Sequence, residues 1–205
     1  MHTTSQHAIR TILVGQSGGP TAAINASLAG VVRTAHTQGL RVLGMRNGIQ
    51  GFLEGNVVDL AEVLELEVFN QNEVNPGEKN LQLLRKTPSS WLGSCRFKLP
   101  EFEPNPATCS SSEPAAISPI YQQIDAQLKK YQVDAVLYIG GNDSMDTTDK
   151  LSRYFAQVER PVCVVGVPKT IDNDLEGTDH TPGFGSAARF VASVTAELIR
   201  DGGVY

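Results

Sequence analysis

One local pattern constrains this chain more than any other. Ile12-Leu13-Val14 is a short apolar run that stops at Gly15, a glycine-rich turn follows through Pro20, and apolar residues return at Ile24, Leu28, Val31, Val32 and Ala35. The run has the length and composition of a buried strand, and the later set has the spacing of one helix face. Gly39 stands where that helix would stop, and Val42 to Met45 supplies a second strand. Strand, helix and strand in so short a span make a βαβ unit, whose two strands must pair in parallel. The pattern returns later. Ile120, Ile124 and Leu128 mark a helix face after Pro119, Val133 to Ile139 reads as a strand, Met145 to Phe155 as a helix, and Val162 to Val165 as another strand. A last helix spans about Gly185 to Ile199, with Phe190, Val191, Val194 and Leu198 expected on its inner side. The expected fold is α/β: a Rossmann-like, open and mainly parallel sheet with helices on both faces.

Composition narrows the function classes. A chain of 205 residues removes roughly 70% of its unfolded surface from water, enough for a core without metal or disulfide staples. The 22 acidic and 17 basic residues leave a net charge of −5, which argues against nucleic acid or an anionic membrane as partner. No apolar run approaches the roughly 20 residues that span a bilayer, and MHTTSQHAIR lacks an apolar signal core. Cys95, Cys109 and Cys163 are odd in number and far apart, so neither a disulfide framework nor a structural zinc site is expected. Cys95 and Cys163 are read as inert, in apolar or tight surroundings. The chain reads as cytoplasmic, with residues 1–9 a flexible N-terminus, 10–205 one domain, and 100–119, rich in Pro and Ser, a long surface loop.

Three loops follow three of the expected strands: Gly15–Pro20, Gly140–Ser144 and Val167–Thr181. In an open parallel sheet ligands bind outside the carboxyl ends of the strands, so all three fall where a site belongs. Gly15-Gln16-Ser17-Gly18-Gly19-Pro20 lets backbone approach a ligand and suits a phosphate, or is simply a tight turn. It is neither a Walker loop nor Gly-x-Gly-x-x-Gly. In Gly140-Gly141-Asn142-Asp143-Ser144, Asp143 or Ser144 can cap the next helix or approach a metal–phosphate. Pro168-Lys169-Thr170-Ile171-Asp172-Asn173-Asp174 sets one cation beside two carboxylates. In an extended segment Asp172 and Asp174 share a side, where one can take a proton from a hydroxyl while the other orients a substrate or metal. The plainer alternative is a solvated turn.

Together these stretches resemble the phosphofructokinase family. Gln16-Ser17-Gly18-Gly19, Leu92-Gly93-Ser94-Cys95-Arg96-Phe97, Ile139-Gly140-Gly141-Asn142-Asp143-Ser144-Met145, Pro168 to Asp174, and Thr178-Asp179-His180-Thr181-Pro182-Gly183-Phe184 occur in the family's order, over nearly all of residues 10–200. The resemblance implies the N-terminal half of a two-domain phosphofructokinase fold, transferring a phosphoryl group to the 1-hydroxyl of fructose 6-phosphate. It implies Asp172 as the base, Thr170 and Asp174 as substrate-positioning neighbours, Gly18, Gly19 and Ser144 against the donor phosphates, and Arg96 bridging donor and acceptor. ATP-dependent members carry glycine where Asp143 and Lys169 stand here. A carboxylate at 143 crowds and repels a third phosphate, and an ammonium at 169 can hold a donor that lacks adenosine. The implied donor is pyrophosphate.

Magnesium is implied as cofactor. Asn142 stands where the family often has a metal-binding aspartate, so Asn142, Asp174 or Asp143 is expected to hold it. The rival readings are an ATP-dependent 6-phosphofructokinase and a non-catalytic subunit of the same fold. Family members are much longer and carry the sugar-phosphate grip in a second half, so this chain is expected to be inactive by itself and the longer protein to be a homo-oligomer. Trp91 and Phe97 are read as packing around Arg96, and His180 as a structural hydrogen-bonding residue.

Overall fold

The structure, a computed structural model, describes residues 8–66, 76–102 and 118–204. In chain order the elements are β1 (Thr11–Gln16), α1 (Ala22–Thr37), β2 (Arg41–Met45), α2 (Gly48–Leu53), β3 (Val57–Asp59), α3 (Leu60–Val63), α4 (Pro76–Lys86), α5 (Pro119–Lys130), β4 (Ala135–Gly140), α6 (Asn142–Gln157), β5 (Cys163–Pro168) and α7 (Phe184–Gly202). The strands form one sheet in the order β3-β2-β1-β4-β5. β1 is central because both its faces are apolar: Leu13 packs into one core and Val14 into the other, each fully buried. It pairs in parallel with β2 (Leu13 opposite Leu43) and with β4 (Leu13 opposite Val136), and β4 pairs in parallel with β5.

The two cores lie on opposite faces of the sheet, as the alternation of strand side chains requires. One joins Leu43, Met45, Val136 and Tyr138 to α2, α5 and α6 through Phe52, Ile124, Leu151 and Phe155. The other joins Val42 and Ile139 to α1, α3 and α4 through Leu28, Leu60 and Leu81. Helices therefore cover both faces, and the expected α/β class stands. Among the described residues no helix is long and apolar enough to cross a membrane.

The edge strand β3, for which the sequence carried no expectation, runs antiparallel to β2 through Gly44 opposite Val58, and the sheet remains mainly parallel as expected. Several local expectations are corrected. Asn142 to Ser144 lie in the first turn of α6 rather than in a loop, and the N-cap is Gly141, not Asp143 or Ser144. The apolar side of α7 is not turned inward: no residue of it is buried, and Phe190, Val191 and Leu198 are 60–68% exposed. Helical spacing reports an apolar face but not what covers it. Cys163 is exposed at the start of β5, contrary to its expected tight setting. Most of the Pro/Ser-rich stretch (103–117, with Cys109), the first seven residues and Tyr205 lie outside the described residues.

Candidate active site

Chain order decides where a ligand can sit. β1 leads into α1 on one face and its neighbour β4 leads into α6 on the other, so the two connections part at the carboxyl ends of adjacent strands. A crevice opens at such a switch point. Here it is a cavity of about 890 Å³, walled by Ser17–Thr21 after β1, Ser94–Lys98, Gly141–Ser144 at the start of α6, and Lys169–Asp172 after β5. The site thus gathers Gly18, Gly19, Arg96, Asn142, Asp143, Ser144, Lys169, Thr170 and Asp172, which stand far apart in sequence.

The first wall is held by backbone. Ser17 N–H donates to the Ile139 carbonyl (2.9 Å), and Gly18 adopts φ +79°, a conformation that favours glycine. A Cβ at Gly18 would also come within 3.3 Å of Lys169 Nζ, so the glycine keeps that ammonium close to the loop. The second wall is tied to the first by Ser17 Oγ donating to the Cys95 carbonyl (3.1 Å) and Ser94 Oγ to the Gly18 carbonyl (2.8 Å). Beneath them lies a buried amide network that the sequence reading missed. Gln16 Nε2 donates to the Ile24 carbonyl and to Asn25 Oδ1, while Gln16 Oε1 accepts from Leu92 N–H (2.8 Å). Asn25 Oδ1 also accepts from Trp91 N–H (2.9 Å), and both amides are fully buried. The network fixes the 91–92 segment, and with it the approach of Arg96, to the end of β1 and the start of α1. A polar pair closing an apolar strand and opening a helix was its only trace in the sequence.

Lys169 is the charged centre of the floor. It is 6% exposed, its N–H continues the ladder by donating to the Gly140 carbonyl, and its Nζ donates to the Gly19 carbonyl (2.5 Å). Burial pushes its pKa below the usual lysine value, and the nearby Asp172 carboxylate opposes that fall. An ammonium has three donors, so one spent on Gly19 leaves two for a ligand oxygen. Ser144 is 2% exposed and packs against Gly140, closing the floor beside it.

Beyond Lys169 the chain turns instead of running extended. Asp172 N–H donates to Thr170 Oγ1 (3.0 Å), and Asn173 takes φ +56°. Asn173 also accepts from Thr181 N–H and donates to the Asp179 carbonyl, pinning the turn to the 178–183 segment. The two carboxylates therefore part company, which corrects the shared side expected of them. Asp172 lines the cavity. Asp174 instead accepts from Asn142 Nδ2 (3.1 Å), and this bond, with help from Thr170, holds its carboxyl below the usual range. Phe97 packs against the first core and Trp91 against the second, where Arg46 lies over its ring.

Among the described residues no three of His, Cys, Asp and Glu gather to hold a metal ion. The linked Asn142 and Asp174 still offer an amide oxygen and a carboxylate oxygen at the rim. That donor set fits magnesium, which keeps several waters and needs only one or two carboxylates when phosphate supplies the rest.

Residues 11–201 match the family model described as Phosphofructokinase. The chain belongs to the phosphofructokinase family. It is 37% identical over 190 residues to the pyrophosphate–fructose 6-phosphate 1-phosphotransferase of Xanthomonas campestris pv. campestris, covering 93% of this chain and 40% of that protein. It is 33% identical to the ATP-dependent 6-phosphofructokinase of Aliivibrio salmonicida, over 93% of this chain and 48% of that one. Among solved phosphofructokinases, the pyrophosphate-dependent one from Nitrosospira multiformis superposes with a TM-score of 0.73 at 34% identity, covering 95% of this chain and 42% of the other. The chain thus spans about 40% of the length of the pyrophosphate-dependent relatives it matches.

Proposed function

We propose that the protein transfers a phosphoryl group from magnesium pyrophosphate to the 1-hydroxyl of fructose 6-phosphate, and that this chain carries the donor side of the cleft. The observation that carries the reading is Lys169, a buried ammonium held against the Gly19 carbonyl at the floor of the switch-point cavity. A desolvated cation with unspent donors beside a glycine turn suits a compact, highly charged anion that brings no adenosine to anchor it.

On this reading the amides of the Gly18–Gly19 turn and Lys169 hold the pyrophosphate. Asp172 accepts the proton of the sugar hydroxyl as its oxygen attacks phosphorus. The bond to the bridging oxygen breaks, and its electron pair leaves with inorganic phosphate, where Lys169 offsets the growing charge. Thr170 fixes the turn that presents Asp172. Arg96, on the facing wall, bridges donor and acceptor as charge spreads over the moving group. Asn142 and Asp174 would hold magnesium at the rim, where the ion would offset part of the donor's charge. Asp143 occupies the space a third phosphate would need. The complete protein is proposed to work in the cytoplasm as a homo-oligomer.

Sequence similarity reaches the ATP-dependent branch as well, at 33% identity, so the donor is the point to test. Turnover of fructose 6-phosphate by the full-length enzyme, measured in parallel with magnesium pyrophosphate and magnesium ATP, should be supported by the first alone. Turnover with ATP and none with pyrophosphate would sink the donor assignment.

A further inference from the structure

Asp143 does not stand alone at the mouth of the cleft. Its carboxylate lies 2.9 Å from Lys98 Nζ, with the two side chains 73% and 72% exposed. Both line the cavity, from different walls: Lys98 two residues beyond Arg96, Asp143 in the first turn of α6. The backbone beside Lys98 is anchored to that same helix. The next residue, Leu99, is 3% exposed, and its carbonyl accepts from Lys150 Nζ (3.3 Å). Lys150 is itself 3% exposed on α6 and also pairs with Glu101 and Asp146. The buried tie places the Lys98 backbone beside the start of α6, within reach of Asp143, while the two paired side chains stay exposed.

We infer that Lys98 is a specificity-determining residue for the phosphoryl donor, acting through Asp143. The inference rests on the pyrophosphate reading and deepens it. An unpaired carboxylate at the mouth would repel any polyphosphate, including the two-phosphate donor the site is proposed to accept. Paired with Lys98 it keeps its bulk but loses its net charge. Pyrophosphate is then admitted, and a third phosphate is refused by volume. Lys98 positions and neutralises Asp143; it is not a ligand of the donor.

Calorimetric titration of the full-length protein with magnesium pyrophosphate and with magnesium tripolyphosphate tests this in four forms: the unaltered protein, Lys98→Met, Asp143→Asn and the double variant. Lys98→Met should weaken pyrophosphate about fivefold, the upper range for one exposed ion pair. Asp143→Asn removes the charge that Lys98 answers, so the double variant should bind within about twofold of Asp143→Asn alone. Tripolyphosphate should stay the weaker ligand in all four. An undiminished Lys98→Met loss in the Asp143→Asn background would mean that Lys98 touches phosphate directly, and no loss at all would mean that the pair is decorative; either overturns the inference. Failure of the unaltered full-length protein to bind pyrophosphate would instead overturn the donor reading beneath it. Equal melting temperatures across the set would show that the differences are not unfolding.

Discussion

Lys169→Met removes the buried charge while keeping most of the apolar stem. In the free protein the ammonium is a cost: burial lowers its pKa, so the unfolded chain holds the proton more tightly than the fold does. The unfolded state then binds more protons between the depressed folded pKa and about 10.5, and stability rises with pH through that window. Replacing the lysine by an isosteric apolar residue should leave the fold unchanged or slightly firmer. The released Gly19 carbonyl belongs to an exposed residue and can turn to water. Donor binding should move the opposite way. One charge-assisted hydrogen bond to phosphate contributes about 1.5–3 kcal/mol, so pyrophosphate affinity should fall about 10- to 150-fold. In the unaltered protein that affinity should also decline as pH rises through the depressed lysine pKa, and Lys169→Met should abolish this alkaline limb. Thermal melts and calorimetric titrations from pH 7 to 10 read both effects. A variant that melts much earlier yet binds pyrophosphate normally would show Lys169 to be structural and refute the reasoning.

Asp172→Asn in the full-length enzyme should lower kcat by about 10²–10⁴-fold with little change in KM, because an amide keeps the shape but cannot take the proton; steady-state kinetics with near-normal turnover would remove Asp172 from the mechanism. Asp143→Gly with Lys169→Gly should weaken pyrophosphate use and open the site to ATP, and unchanged pyrophosphate kinetics would dissolve the donor argument. Gln16→Leu should cost about 2–4 kcal/mol in denaturant unfolding, since Leu92 N–H and the Asn25 amide lose buried partners. A loss under 1 kcal/mol would mean that water or neighbouring groups replace the glutamine.

The parallel strands and their loops were legible because period and punctuation are local: Ile12-Leu13-Val14, the glycine turn and the apolar spacing of α1 lie within one short stretch. The cleft was legible because topology alone places the ends of β1, β4 and β5 together. What escaped was set by partners distant in sequence. β3 has only three residues and takes its pairing from β2. Gln16 meets Leu92 across 76 positions, and nothing near either residue announces the bond. Asp172 and Asp174 sit at strand spacing, but Thr170 and Asn173 bend the segment and Asn142 claims the second carboxylate. Nothing near Lys98 in the sequence announces Asp143, which only the fold brings to it. The apolar face of α7 was visible, but its exposure was not, because periodicity cannot say what lies opposite a helix.

The most direct test is a crystal structure of the protein with magnesium pyrophosphate bound. The account places the pyrophosphate in the switch-point cavity between the Gly18–Gly19 turn and Lys169, with Lys169 Nζ about 2.7–2.9 Å from a phosphate oxygen and no phosphate beyond Asp143. Pyrophosphate lodged elsewhere, or out of reach of Lys169, would contradict it.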